Sequence, residues 1–203
     1  MQLFSRAKIT ATLLSGVITL GSGVSLAQEE TVEVKIPKNS VLSDGVISKK
    51  EMAKYLVIGN KQLAYLARNA TEEYAPELEG KGQAMPSAWM LMSDGITVKK
   101  VSLDESADGA PPQIRIAMFR AALKSIARRG KINAAVIVYA GKLSEDNPQE
   151  VLVLEHEHRL GISATKIVPF EIDGGNVKYA EPVTNNKPFQ MFYDDKGQAP
   201  STG

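Results

Sequence analysis

The sequence predicts an α+β domain in which one antiparallel sheet of about five strands is covered by two main helices. Three observations carry this. Two segments place apolar residues at helical spacing, and five shorter ones are rich in β-branched and aromatic residues. An Asp-Gly pair and a Leu-Gly pair then sit between neighbouring strand candidates, where hairpins turn. The element order is α-β-β-α-β-β-β.

The first helix is expected over 49–75. Ser48 and Glu51 form a capping box, the hydroxyl taking an orphan N–H and the carboxylate reaching back. Met52, Leu56, Gly59, Leu63, Leu66 and Ala70 then make one apolar stripe, and Pro76 is expected to stop the helix. Strands at 88–92 and 96–102 flank Asp94-Gly95, a type I′ signal that sets Leu91 opposite Val98 and Trp89 opposite Lys100. After an acidic loop at 104–110, Pro111-Pro112 opens the second helix, expected over 112–129. Its stripe is Ile116, Phe119, Leu123 and Ile126, and Gly130 stops it. Strands at 134–140, 151–158 and 162–170 follow, the last two joined at Leu160-Gly161, with a short extended stretch at 176–180. The expected core is Leu56, Leu63, Leu66, Trp89, Leu91, Val98, Ile116, Phe119, Leu123, Ile126, Val136, Val138, Leu152, Leu154 and Ile167.

The order of these elements resembles roadblock/profilin-like α+β domains over residues 48–172. The resemblance is one of topology and carries no motif, so it implies a fold and no particular chemistry.

Residues 1–27 read as a cleaved export signal. Arg6 and Lys8 precede a mostly apolar run over 9–24, and Ser25 and Ala27 put small residues at the −3 and −1 positions of a cleavage site. The run is shorter than the roughly 20 residues of a spanning helix, and no later segment is as apolar. The expectation is a soluble periplasmic or secreted protein with an extended arm at 28–47, one α+β domain at 48–193 and a flexible tail at 194–203. Lys and Arg total 24 against 23 Asp and Glu, and both signal cations leave with the signal, so the remainder holds one excess acid. That balance argues against nucleic acid as a partner. The absence of cysteine excludes disulfides, thiolate metal sites and a cysteine nucleophile.

Two constellations stand out. Glu155-His156-Glu157-His158 holds both histidines of the chain, and strand alternation puts the two imidazoles on one face. His156 and His158 are thus candidate metal ligands, a half-site that needs a further carboxylate or water. The competing reading places them at a solvated hairpin tip, bonded to Ser163 and Thr165, with Glu155 paired to Lys166. The second helix carries Arg120, Lys124 and Arg128 at every fourth position, a candidate docking ridge for an acidic partner such as lipid headgroups, polyanionic glycan or an acidic protein surface, and the partner expected overall is an envelope protein, glycan or small ligand. Its competing reading is a solvated helix face. Tyr55, Tyr65 and Tyr74, with Met85, Trp89, Met90 and Met92, read as core more readily than as a ligand groove.

No Gly-x-Ser-x-Gly elbow or phosphate loop is present, and the one Ser–His juxtaposition, Ser163 with His158, has no acid to orient it. The leading expectation is therefore a non-catalytic binding or accessory protein with no required cofactor. A metal-binding protein or metal-dependent enzyme centred on His156 and His158 is the second. A structural or regulatory subunit pairing through the first helix is the third.

Overall fold

The computed structural model describes residues 49–80 and 84–193. The signal, the arm, Ser48 of the capping box and the tail lie outside the described residues. The elements are α1 (Lys49–Glu79), β1 (Ser87–Met92), β2 (Val98–Lys100), α2 (Pro112–Arg128), β3 (Ile132–Lys142), β4 (Glu150–His158), β5 (Ile162–Asp173), β6 (Asn176–Tyr179) and β7 (Val183–Asn186), with a short 3-10 turn at Glu105–Ala107.

The strands form one open antiparallel sheet in the order β2-β1-β3-β4-β5-β6, and β7 also pairs with β5. The class is α+β, as expected, but among the described residues the strands number seven. β7 escaped the sequence reading because Val-Thr-Asn-Asn is short, polar and exposed throughout. It carries no apolar face to detect.

α1 and α2 lie on opposite faces of the sheet. Leu63, Leu66, Ala70, Tyr74 and Leu78 of α1 pack with Trp89, Leu91, Val136, Val138, Leu152 and Leu154. Ile116, Phe119 and Leu123 of α2 pack with Ala88, Ile132, Ala135, Ile137 and Met191. β3 is therefore buried on both sides, which is why Ala134–Val138 runs without a polar residue. Trp89 meets Tyr74 edge to face at 6.2 Å and donates its indole N–H to Glu73 at 2.6 Å.

The structure corrects three expectations. Pro76 does not end α1, which runs on to Glu79. Proline removes one N–H, but burial of Tyr74 and Leu78 on either side holds the last turn against the sheet. The Tyr74 hydroxyl also donates to Met85 O at 3.0 Å. Second, Leu56 is 43% exposed rather than core. None of residues 51–58 is buried, so α1 begins beyond the sheet and meets it at Gly59. A Cβ on Gly59 would sit 2.6 Å from Ile162 Cδ1, so helix and sheet come close here and leave no room for a side chain.

Third, the β4–β5 register is one residue off the expected one. His158 pairs with Ile162, His156 with Ala164, Glu157 with Ser163 and Leu154 with Lys166. The loop has three residues, 159–161, with Gly161 at φ 84 and its N–H bonded to His158 O at 3.1 Å. A three-residue hairpin loop takes a left-handed residue at its end, so the glycine alone does not distinguish it from a two-residue loop. A slip of one residue exchanges the faces of β5. Ile162, not Ser163, thus lies beside His158 beneath α1. The β1–β2 pairing matches expectation: Leu91 faces Val98 and Trp89 faces Lys100. Its turn closes through Asp94, whose carboxylate accepts the N–H groups of Ile96 and Thr97 at 3.0 and 2.9 Å.

Candidate functional site

β4 brings four titratable side chains into the sheet, and alternation sorts them two to a face. Toward α1 lie His156 and His158. The His158 ring is buried, and Leu160 donates its N–H to Nδ1 at 3.0 Å. With Nδ1 accepting, Nε2 carries the proton and donates to Gln62 Oε1 at 2.8 Å. Burial, with the Arg159 charge beside it, pulls the His158 pKa down from 6.5 to about 4. This histidine is therefore a neutral strut between α1 and the β4–β5 loop, not a residue at a solvated tip. His156 donates from Nδ1 to Leu154 O at 3.3 Å, and burial lowers its pKa as well.

Neither histidine bonds Ser163 or Thr165. Ser163 lies opposite Glu157 and donates to Pro188 O at 3.4 Å, so the Ser–His juxtaposition is also lost. A metal at the pair would have to displace Gln62 or the Leu160 N–H from His158. Among the described residues no three His, Asp or Glu side chains gather as a metal group.

Toward α2 lie Glu155 and Glu157, both buried. Glu157 accepts backbone N–H groups from Gln190, Met191 and Phe192 at 2.7, 2.9 and 2.9 Å, and Lys187 Nζ at 2.5 Å. Four donors answer one carboxylate, which is how an ionised group persists in an apolar layer. The result is a clasp that lays residues 187–193 across the sheet, with Met191 buried in the α2 core and the Tyr193 hydroxyl bonded to Arg159 O.

Glu155 is held from above. Arg120 of α2 donates to it through Nε at 3.0 Å and Nη2 at 2.6 Å, and Tyr139 of β3 donates its hydroxyl at 2.8 Å. The expected Glu155–Lys166 pair does not form, because the register places Lys166 opposite Leu154 on the other face. The carboxylate raises the Arg120 pKa, and burial followed by the Glu155 charge pushes Tyr139 above its usual value. Arg120 is thus not the first member of an outward ridge. A four-residue step turns about 400° at 3.6 residues per turn, so the row drifts about 40° per member. Arg120 falls beside the buried stripe, Lys124 is half-buried and Arg128 is exposed.

Arg120 and Tyr139, with Glu155 buried behind them, form one wall of a cleft of about 770 Å³. The cleft opens where the first turn of α2, the far end of β3 and the last turn of α1 converge. Ile116, Tyr139, Ala140, Phe170 and Leu78 give it apolar walls, with Lys142 and Glu150 near its mouth. Ile172, also in the lining, is 47% exposed, and Ile114 and Leu143, each adjacent in sequence to a lining residue, are exposed too.

Gly141 is the notable absence of bulk. It lies within β3, opposite Val151, and a Cβ built on it meets nothing within 4 Å. Its φ is not left-handed and no neighbour crowds it, so neither turn geometry nor packing calls for glycine there. The sequence offered one signal of this site, the strand run broken at Ala140-Gly141, and it was missed because β3 was expected to stop at 140.

No family model, curated protein or solved structure matches the chain.

Proposed function

We propose that the protein is an exported, non-catalytic binding or accessory domain that holds its ligand in the cleft beside Arg120 and Gly141. The observation that carries this is a concave space of mixed polar and apolar lining, with Arg120 and Tyr139 held in fixed positions at its wall. Glu155 fixes both: it orients the guanidinium through two bonds and the phenol through one. A side chain whose rotamer is set before binding loses less entropy on contact, which suits recognition. Binding is favoured over catalysis because the buried acid at this wall is committed to three donors. Export rests on the signal-like residues 1–27, and the roadblock/profilin-like reading of the element order belongs to the same proposal.

The neutral dye N-phenyl-naphthylamine, fluorescent in apolar sites, tests the cleft. Wild-type protein should bind it saturably, and Gly141→Phe, which fills the space without a Cβ clash, should abolish binding at unchanged melting temperature. Binding that survives this substitution places the ligand site elsewhere. Mass spectrometry of the cell envelope fraction should find Gln28 as the N-terminus, and an intact Met1 form in the cytosol would remove the export reading.

A second reading, a subunit that pairs through α1, is favoured by the exposed Leu56 and Val57 on the part of the helix that precedes the sheet. Light scattering decides it: a monomer at working concentration ends that reading.

A further inference from the structure

Resting on the cleft reading above, we infer that the cleft selects a small organic anion with an apolar body, its acidic group taken by the outer edge of Arg120 and by Lys142. Arginine has five N–H donors in a planar fork, and Arg120 directs two of them, on Nε and Nη2, to Glu155. The remaining three N–H donors, one on Nη2 and two on Nη1, lie along the terminal edge of the same plane, and the side chain, which lines the cleft, is 34% exposed. A guanidinium held along one edge by a buried carboxylate is positioned to take a second acid along the other.

Charge favours an acid over a base. The lining holds two bases, Arg120 and Lys142, against one acid, Glu150, and Glu155 lies buried behind the guanidinium rather than in the cleft. The rest of the lining sets the body of the ligand. Leu78, Ile116, Phe170 and Ile172 offer apolar contact, while Gly141 leaves an open stretch of strand beside the Tyr139 ring. A fully polar anion such as inorganic phosphate would leave these walls without a partner.

Two dyes of the same aromatic skeleton separate charge from shape: anilinonaphthalene sulfonate, an anion, and neutral N-phenyl-naphthylamine. Wild type should bind the sulfonate about tenfold tighter than the neutral dye, as a charge-assisted hydrogen bond implies, and the ratio should shrink in high salt. Arg120→Met alone would strand Glu155, so the informative change is Arg120→Met with Glu155→Leu, which removes the ion pair and leaves the Tyr139 hydroxyl at the wall of the open cleft. That double variant should keep the neutral dye and lose the preference. Lys142→Met, an exposed change, should lower the ratio part-way and serves should the double variant not fold. Equal binding of the two dyes by wild type, or a preference that survives both variants, overturns the inference while leaving the cleft reading intact. Failure of the neutral dye to bind at all removes the cleft reading itself.

Discussion

The two faces of β4 handle buried titratable groups in opposite ways. Toward α1, His156 and His158 are favoured in their uncharged form, and His158 has one donor and one acceptor as partners. Toward α2, Glu155 and Glu157 sit deep in the sheet, each with a cation and additional donors. An imidazole can give up its charge at little cost because its pKa lies near neutrality. A carboxylate several units below neutrality keeps its charge when it has partners, so the chain has to bring them. It does so from distant segments, α2 in one case and residues 187–192 in the other. The carboxylate face brings Arg120 and Tyr139 to the cleft, whose lining also takes Leu78, Ala140 and Phe170 from the α1 side.

The largest expected effect tests this contrast at the clasp. Glu157→Ala leaves Lys187 with no acid in a largely buried position and three N–H groups without their acceptor. It should destabilise by about 4 kcal/mol, in the range for breaking a buried ion pair. Hydrogen exchange at 190–192 should rise with it. An unchanged melting temperature would show that the clasp does not hold this segment.

Next comes acid sensitivity from the other face. The His158 pKa lies near 6.5 unfolded and about 4 folded, so the unfolded chain binds the extra proton first. Stability from this residue is full above pH 6.5 and is lost as pH falls toward 4, by on the order of 3 kcal/mol. Melting at a series of pH values should show that slope, and His158→Gln should flatten it. A slope unchanged in the variant would assign it to the carboxylates instead.

Glu155→Ala should cost less than Glu157→Ala, about 1–2 kcal/mol, because the partly exposed Arg120 can turn to water while the buried Lys187 cannot. A cost equal to that of Glu157→Ala would erase the distinction between the two carboxylates. The smallest effect is at Leu56. Its place in the stripe suggests a core residue, but at its observed exposure Leu56→Ala should shift stability by less than about 0.5 kcal/mol.

These positions also mark how far the sequence was readable. Helix stripes, strand alternation and the Asp94-Gly95 turn depend on nearest neighbours along the chain, and both helices and the β1–β2 register follow from them. Leu56 shows the limit, since a stripe states which face is apolar but not where the sheet beneath it ends. The β4–β5 register turned on one loop residue, and with it went the partners expected for both histidines and for Glu155. Arg120 and Glu155 are 35 residues apart, and the clasp residues lie as far from Glu157. No local pattern announces such pairs. Glu155 and Glu157 were visible as an unusual string, but their burial was not, because alternation gives a face and not what covers it.

Amide shift mapping in the isotope-labelled protein tests the cleft most directly. Titrated with N-phenyl-naphthylamine, the largest shifts should fall on Ile116, Arg120 and residues 139–142, with the β4–β5 loop and Gln62 unmoved. Shifts centred on 156–162, or spread evenly over both faces of the sheet, would contradict a ligand site at Arg120 and Gly141.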